Sequence, residues 1–223
     1  MYSEFTDDRN GEIQLKNRTG PGTNDSTILA RVAQIGGYLQ VQGSSEGFKR
    51  IEALNGEYLS LETNHWYRIS VTVDIENSIQ NVYVFDRDTE SLLGLYQDMT
   101  TTNEMDYINM VTFSSGTSMC LDNVKIMEQT CENTYIYGSP YAKRDNKQRY
   151  YFIGKNIMNN TTSLPYGTTV WSIENTRNGV SINSISGNLN VSSTAEPGTV
   201  IIKATRTVGD MTYESKYPVN IIQ

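Results

Sequence analysis

The acidic residues and the single histidine of this chain limit the catalysis that it can perform. A retaining glycosidase needs two carboxylates about 5 Å apart, and one β-strand can supply them as E-x-D-x-x-E because alternate side chains share a face. The nearest candidate is Asp74, but Thr72 and Asn77 occupy the positions where that pattern requires glutamate. The only histidine, His65, is interpreted as an exposed residue at the start of a strand, and no G-x-S-x-G motif exists to supply a serine nucleophile. We therefore expect no enzymatic activity.

Aromatic, amide and guanidinium side chains alternate with apolar ones along three predicted strands, and this pattern favours sugar binding. Pyranose rings stack their C–H faces on aromatic rings, while amides and guanidinium groups form hydrogen bonds with hydroxyls. Strand alternation predicts that these polar and aromatic residues face outward on one sheet surface. The predicted binding residues are Tyr38, Gln40, Trp66, Arg68 and Tyr83. The alternative is that Trp66 caps the edge of the sandwich and that Tyr83 and Phe85 pack beneath a strand or a loop.

An acidic segment, Asp86-Arg87-Asp88-Thr89-Glu90, is a weaker candidate for a calcium site. It places carboxylates at every second residue, but it lacks the glycine that a calcium-binding loop uses for its sharp turn. We interpret this segment as a solvated hairpin turn.

The elements that must position these residues are β-strands. Apolar residues repeatedly alternate with period two, and a sustained 3.6-residue period is absent, so the sequence predicts an all-β protein. Gly36-Gly37 and Asn55-Gly56 supply turns that accept positive φ. The strand pattern breaks at 129–133, which predicts one sandwich over residues 1–130 and a second over 131–223. The predicted strands are 11–17, 27–35, 38–43, 48–54, 57–61, 65–75, 80–87, 92–97, 107–114, 118–128, 134–138, 149–154, 168–174, 180–183, 188–193, 199–207 and 211–222.

Charge and hydropathy exclude two classes of partner. The chain has 18 Lys and Arg against 25 Asp and Glu, a formal net charge of −7, whereas proteins that bind nucleic acids concentrate basic residues. No apolar run reaches the roughly 18 residues that a membrane helix requires. The first eight residues show no signal peptide, so we expect a cytoplasmic protein or a fragment of a secreted one.

If the segment between Cys120 and Cys131 is a strand, these residues lie too far apart for a disulfide, and we expect two free thiols.

Residues 171–204 contain a W-S-I strand, a G-V-S-I strand, an S-G-x-L-x-V hairpin and a G-T-V-x-I-x-A strand in this order. In this order of motifs the C-terminal segment resembles the bacterial immunoglobulin-like domains of surface proteins and modular polysaccharide-degrading enzymes of Gram-positive bacteria. The resemblance covers about residues 134–223. It implies an immunoglobulin-like sandwich that serves as a spacer or adhesive unit, with Trp171 in its core.

In the N-terminal segment, W-Y-R-I runs into V-T-V-D, V-Y-V-F-D follows as the returning strand, and L-D-N-V-K-I closes the segment. By these motifs the segment resembles concanavalin-A-like and laminin-G-like jelly rolls. It covers about residues 11–128 and implies an antiparallel jelly-roll sandwich. By the same resemblance, Asp122 matches an aspartate that binds structural calcium in several carbohydrate-binding jelly rolls, with Glu4 or Glu12 as a partner. No other cofactor is expected.

Together these patterns predict a non-catalytic accessory fragment of a larger secreted or cell-surface bacterial protein. The fragment would bind a polysaccharide through its aromatic and amide face, with neighbouring domains of the same chain as its other partners. The alternative is a structural or adhesive unit of a bacterial surface protein or phage-like fibre that binds protein and no glycan.

Overall fold

The computed structural model is all-β. It describes residues 2–3, 11–18, 26–43, 47–101, 108, 110–114, 119–120, 131–156, 161–162, 164–165 and 167–223. No helix long and apolar enough to span a membrane occurs within these ranges. The chain forms two compact units, the first comprising 1–53 and 57–127 and the second comprising 54–56 and 128–223.

The first unit contains eleven of the described strands, arranged in two larger sheets and a short pair. The five-stranded sheet has the order β10-β2-β3-β4-β5, the four-stranded sheet has the order β6-β9-β8-β7, and β1 pairs with β11. Within these sheets all pairings are antiparallel. The strands are β1 (Tyr2–Ser3), β2 (Gly11–Arg18), β3 (Ser26–Ile35), β4 (Tyr38–Gly43), β5 (Gly47–Arg50), β6 (Glu52–Ala53), β7 (Tyr67–Asp74), β8 (Ile79–Asp86), β9 (Leu92–Thr100), β10 (Met110–Ser114) and β11 (Met119–Cys120).

One apolar core holds the two larger sheets of the first unit together. Val32, Leu39 and Val41 project into it from the five-stranded sheet, and Val82 and Val84 project into it from the four-stranded sheet. Each of these side chains is at most 1% exposed. The two sheets therefore pack face to face, and each has a second face that points away from this core.

The second unit contains the remaining ten described strands in three sheets. Their orders are β12-β15-β16, β13-β21-β20-β17 and β14-β19-β18. The long hairpin of β20 and β21 is antiparallel, and the short strand β13 joins its outer edge in parallel. The strands are β12 (Asn133–Tyr137), β13 (Tyr141–Lys143), β14 (Asn146–Arg149), β15 (Tyr151–Lys155), β16 (Thr161–Thr162), β17 (Thr168–Ile173), β18 (Val180–Ile182), β19 (Asn188–Val191), β20 (Gly198–Val208) and β21 (Met211–Ile222).

The core of the second unit contains Trp171, as the sequence predicts. Trp171 is 5% exposed, and its indole ring meets the ring of Phe152 edge to face at a centroid distance of 6.5 Å. Leu189, Val200 and Ile202 belong to the same cluster. One-sided alternation therefore identified the buried face of these strands correctly.

The predicted strands and turns differ from the structure in a few places. Residues 57–61 form two isolated bridges, from Tyr58 to Glu52 and from Ser60 to Tyr38, in place of a full strand. Strands β1, β13, β14 and β16 were not predicted, because each is short and lacks clear alternation. The turn at Gly36-Gly37 is confirmed, since both glycines have positive φ, of 56° and 80°.

Candidate functional site

Strand β4 places polar and aromatic side chains on the outer face of the five-stranded sheet. Leu39 and Val41 are fully buried in the core, so alternation directs Tyr38, Gln40 and Gln42 to the opposite side. All three of these side chains are half-buried. The outward orientation that strand alternation predicts for Tyr38 and Gln40 agrees with this geometry.

Two tyrosines and an arginine form a notch at one end of this face. Gln40 pairs across the ladder with Arg50 of β5, and the Arg50 guanidinium carbon lies 4.2 Å from the ring centroid of Tyr38 and 5.1 Å from that of Tyr58. The two rings are nearly perpendicular, at 79° and 6.5 Å between centroids. We call Tyr38, Arg50 and Tyr58 the tyrosine notch.

The chain following β6 positions Tyr58 in this notch. Ser60 bridges to Tyr38, and Tyr58 bridges to Glu52. Leu59 and Leu61 enter the core of the first unit, so the intervening side chains point the other way. The Tyr58 side chain is 58% exposed, which leaves much of its ring open to a ligand.

A hydrogen-bonded polar network continues the same face beyond the notch. Arg31 of β3 donates through Nη1 to the Oε1 atom of Gln42 (3.1 Å) and through Nε to the Oε2 atom of Glu12 (2.5 Å). Gln14 donates to the Glu12 carboxylate and accepts from the Thr112 hydroxyl at 3.4 Å. We call Glu12, Gln14, Arg31, Gln42 and Thr112 the polar row. The polar row lies on four adjacent strands, β10, β2, β3 and β4, and its one pair of charges, Glu12 and Arg31, joins β2 to β3.

Three of the predicted binding residues lie elsewhere. Arg68 and Tyr83 belong to β7 and β8 of the four-stranded sheet, and Trp66 directly precedes β7. The chain leaves the five-stranded sheet after Arg50 and enters the other sheet at Glu52. The structure therefore does not bring the five predicted residues to one surface, and only Tyr38 and Gln40 lie together.

Tyr83 is fully buried and does not form part of an exposed surface. Residues 79–85 of β8 are buried on both faces of the strand, although their sequence alternates as if one face met solvent. Phe85 is 3% exposed. The alternative interpretation, in which Tyr83 and Phe85 pack inside, is the one that the structure supports.

Arg68 and Trp66 are engaged in contacts within the four-stranded sheet. The Arg68 guanidinium lies 3.7 Å from the ring centroid of Phe85 and donates to the Oε2 atom of Glu90 from Nε and Nη2, at 2.9 and 2.8 Å. The half-buried Trp66 ring has the Arg87 guanidinium 5.3 Å from its centroid. These contacts join the beginning of β7 to the turn that follows β8, and they stabilise both.

The acidic segment at residues 86–90 forms a hairpin turn, as predicted. The Oδ1 atom of Asp86 accepts hydrogen bonds from the Asp88 and Thr89 backbone N–H groups and from the Thr89 hydroxyl, at 2.7–3.0 Å. His65 Nε2 lies 2.8 Å from the Oδ2 atom of Asp86. The hydrogen bonds from Thr89, supported by His65, lower the pKa of Asp86 to about 2. His65 is half-buried in this contact, whereas the sequence predicted an exposed residue.

The predicted calcium ligand Asp122 and its candidate partner Glu4 lie outside the described residues. The other candidate partner, Glu12, is described and pairs with Arg31. Within the described ranges there is no group of three or more His, Cys, Asp and Glu side chains that could hold a metal ion. Calcium binding by Asp122 stays a prediction.

The structure describes the side chain of only one of the two cysteines, Cys131. Cys131 is a free thiol, and its Sγ atom donates to the Asn133 carbonyl at 3.4 Å. Burial raises the pKa of this thiol. The side chain of Cys120 lies outside the described residues.

Sequence reasoning did not identify Arg50, Tyr58 or Arg31 as members of this face, and it named Glu12 only as a possible partner of Asp122 in calcium binding. A signal for Tyr58 existed, because Leu59 and Leu61 alternate with Tyr58 and Ser60. The other residues depend on register: Arg50 reaches the face because it lies opposite Gln40, and Arg31 because it lies opposite Gln42. Pairing of this kind cannot be obtained from one strand considered alone.

Comparison of the sequence with family models found no match, and comparison with curated proteins found none either. The geometry of the tyrosine notch and the polar row is therefore the basis for a functional proposal.

Proposed function

We propose that this chain is a non-catalytic carbohydrate-binding region of a larger secreted or cell-surface protein, and that it binds a polysaccharide with the outer face of its five-stranded sheet. The observation that carries the proposal is the tyrosine notch beside the polar row on one sheet face. The proposal includes a jelly-roll assignment for residues 1–130 and an immunoglobulin-like spacer for 131–223.

The chemistry of this face suits a sugar. A pyranose ring presents apolar C–H groups on its faces and hydroxyls around its edge, so it needs an exposed aromatic ring with polar groups beside it. Tyr58 supplies the ring, since it is 58% exposed. Gln40 donates one amide hydrogen bond to the Ile35 carbonyl at 3.3 Å, and this contact orients its side chain beside the notch.

The polar row adds acceptors and donors that are already oriented. Arg31 lies 5.0 Å from the Phe48 ring centroid and is paired with Glu12. A side chain that is held in place before binding loses less conformational entropy when a ligand arrives. Glu12, Arg31 and Gln42, which are half-buried, can therefore extend the site along the sheet to additional sugar units. Gln14 is buried beneath them and holds the Glu12 carboxylate.

The proposed role is binding without catalysis. The sequence lacks the E-x-D-x-x-E arrangement. On the described part of this face, the Glu12 carboxylate is occupied by Arg31 and Gln14. His65 contacts Asp86 at the end of the other sheet, away from the residues proposed to bind sugar.

Titration of the full chain against a panel of plant and microbial polysaccharides, by affinity electrophoresis and calorimetry, tests this proposal. We expect at least one polysaccharide to bind, and we expect Tyr58→Ala to weaken that binding about tenfold, within the range of interface truncations. Tyr141→Ala is the matched control, because Tyr141 is 56% exposed but belongs to β13 of the second unit.

Absence of binding across the panel would contradict the proposal and favour the structural or adhesive alternative. Equal loss of affinity in Tyr58→Ala and Tyr141→Ala would show that the binding face lies elsewhere. A melting temperature for Tyr58→Ala close to that of the unmodified chain is required for either conclusion, and we expect it because the side chain is exposed.

A further inference from the structure

We infer that the polysaccharide recognised by this chain is anionic, and that Arg50 in the tyrosine notch binds its carboxylate or sulfate groups. This inference rests on the proposed function and specifies its ligand class. It follows from the way in which the Arg50 guanidinium is held and from the groups that do not occupy it.

Arg50 differs in its pairing from other arginines of the first unit. Arg31 lies over the Phe48 ring and pairs with Glu12, and Arg68 lies over the Phe85 ring and pairs with Glu90. Arg50 also lies over aromatic rings. Among the described residues, however, no carboxylate lies within ion-pair distance of it. Its guanidinium is thus fixed in position with its charge uncompensated by a described side chain.

The rings that hold Arg50 leave its hydrogen-bonding edge available. The Tyr38 and Tyr58 rings are nearly perpendicular, so the guanidinium can stack flat on only one of them, and its N–H donors point outward in its own plane. Those donors match the two oxygens of a carboxylate or sulfate in a bidentate arrangement. Arg50 is exposed, so such a group can reach it from solvent.

The neighbours of Arg50 suit an acidic sugar in particular. A hexuronate carries its carboxylate at the rim of the pyranose ring, so a sugar stacked on the exposed Tyr58 ring would direct this group toward the adjacent guanidinium. Gln40 lies directly opposite Arg50 in the ladder and can bind a ring hydroxyl. One acidic sugar unit therefore accounts for the aromatic ring, the amide and the unpaired charge together.

Matched pairs of polymers separate this inference from the proposed function. The carboxylate arm compares polygalacturonate, alginate and hyaluronan with their carboxyl-reduced forms, and the sulfate arm compares carrageenan with its desulfated form. We expect the full chain to bind at least one acidic polymer about tenfold more tightly than its neutral counterpart. We also expect this preference to shrink as NaCl rises from about 50 mM to about 500 mM, because salt screens exposed charges.

Two substitutions assign the preference to Arg50. Arg50→Gln should abolish the discrimination between acidic and neutral polymers, and Arg50→Lys should restore only part of it, since lysine keeps the charge but lacks the planar fork. Arg87→Gln is the control: it makes the same change of charge at an arginine that lies over Trp66 on the other sheet, and it should leave the discrimination intact. Unchanged melting temperatures will show that the variants are folded.

Each outcome has one meaning. Equal binding of acidic and neutral polymers by the unmodified chain would overturn the anionic ligand while leaving the proposed function standing. Retained discrimination in Arg50→Gln, or its loss in Arg87→Gln, would overturn the role of Arg50. Absence of binding to every polymer of both panels would contradict the proposed function, and the inference with it.

Discussion

Gly187 lies against the indole ring of Trp171 so closely that a Cβ atom at residue 187 would be 2.7 Å from the ring carbon Cε2. The same atom would lie 2.8 Å from the Tyr150 carbonyl oxygen. Gly187 also has a φ of 70°, in the region that favours glycine. The core of the second unit therefore depends on a residue without a side chain at the turn before β19.

Gly187→Ala should destabilise the second unit by about 2–4 kcal/mol, because the left-handed conformation costs about 1–2 kcal/mol and overpacking against Trp171 adds a similar amount. Gly209→Ala is the matched control. Its φ is 56°, and a Cβ atom there would have no neighbour within 4 Å, so only the conformational cost applies. Urea unfolding of both variants measures the difference. Equal destabilisation of the two would show that the contact with Trp171 is relieved by a small movement.

The Asp86 turn should make stability depend on pH in the acid range. The folded pKa of Asp86 is lowered from its ordinary value of 3.8 to about 2. The ionised carboxylate therefore stabilises the fold fully above about pH 4, and this contribution is lost as the pH falls through about 2. Asp86→Asn should lower the melting temperature at pH 7, and its difference from the unmodified chain should shrink toward pH 2. Asp88→Asn makes the same change of charge in the same turn and serves as the control.

Trp66→Ala should lower the stability of the fold, whereas Tyr58→Ala should lower the affinity for polysaccharide. Trp66 is half-buried beside Arg87 at the beginning of β7, so its truncation should lower stability by about 1–3 kcal/mol and leave polysaccharide affinity unchanged. Tyr58→Ala should weaken affinity and leave stability nearly unchanged. Thermal melts and calorimetric titrations of both variants check this crossed pattern. Loss of affinity in Trp66→Ala, with an intact fold, would restore Trp66 to the binding site.

The two segments 1–130 and 131–223 should fold independently. The apolar clusters of the two units share no residue, and each contains enough buried side chains for a core of its own. Expression of the segments separately should give one cooperative melt each. An unfolded segment beside a single melt of the full chain would mean that the boundary is misplaced or that the units stabilise one another.

Alkaline titration should reveal the buried tyrosines of the second unit. Burial raises the pKa of Tyr150, whose hydroxyl donates to the Ser139 carbonyl at 2.9 Å. The raised pKa means that the folded state favours the neutral phenol. The neutral Tyr150 side chain therefore stabilises the fold fully below about pH 10, and this contribution is lost as the pH rises above that value. Phenolate absorbance should therefore appear in two phases, and Tyr150→Phe should reduce the later one. A single phase near pH 10 would contradict the burial of Tyr150.

The sequence by itself determined the all-β class, most strand positions, and the inward side of Leu39, Val41 and Trp171. These features depend on local patterns, because alternation along one strand decides which side chains share a face. The turn at Gly36-Gly37 was likewise predictable from the freedom of glycine to adopt positive φ. Tyr38 and Gln40 were identified as neighbours for the same reason.

Tertiary structure alone decided which strands share a sheet and which faces remain open. Tyr83 alternates like an outward residue but is fully buried, since its sequence pattern cannot show that both faces of β8 are covered. Arg50 becomes a candidate ligand only because pairing sets it opposite Gln40 and beside Tyr58. Register and sheet membership arise from contacts between segments distant in the chain, and no periodicity within a segment contains that information.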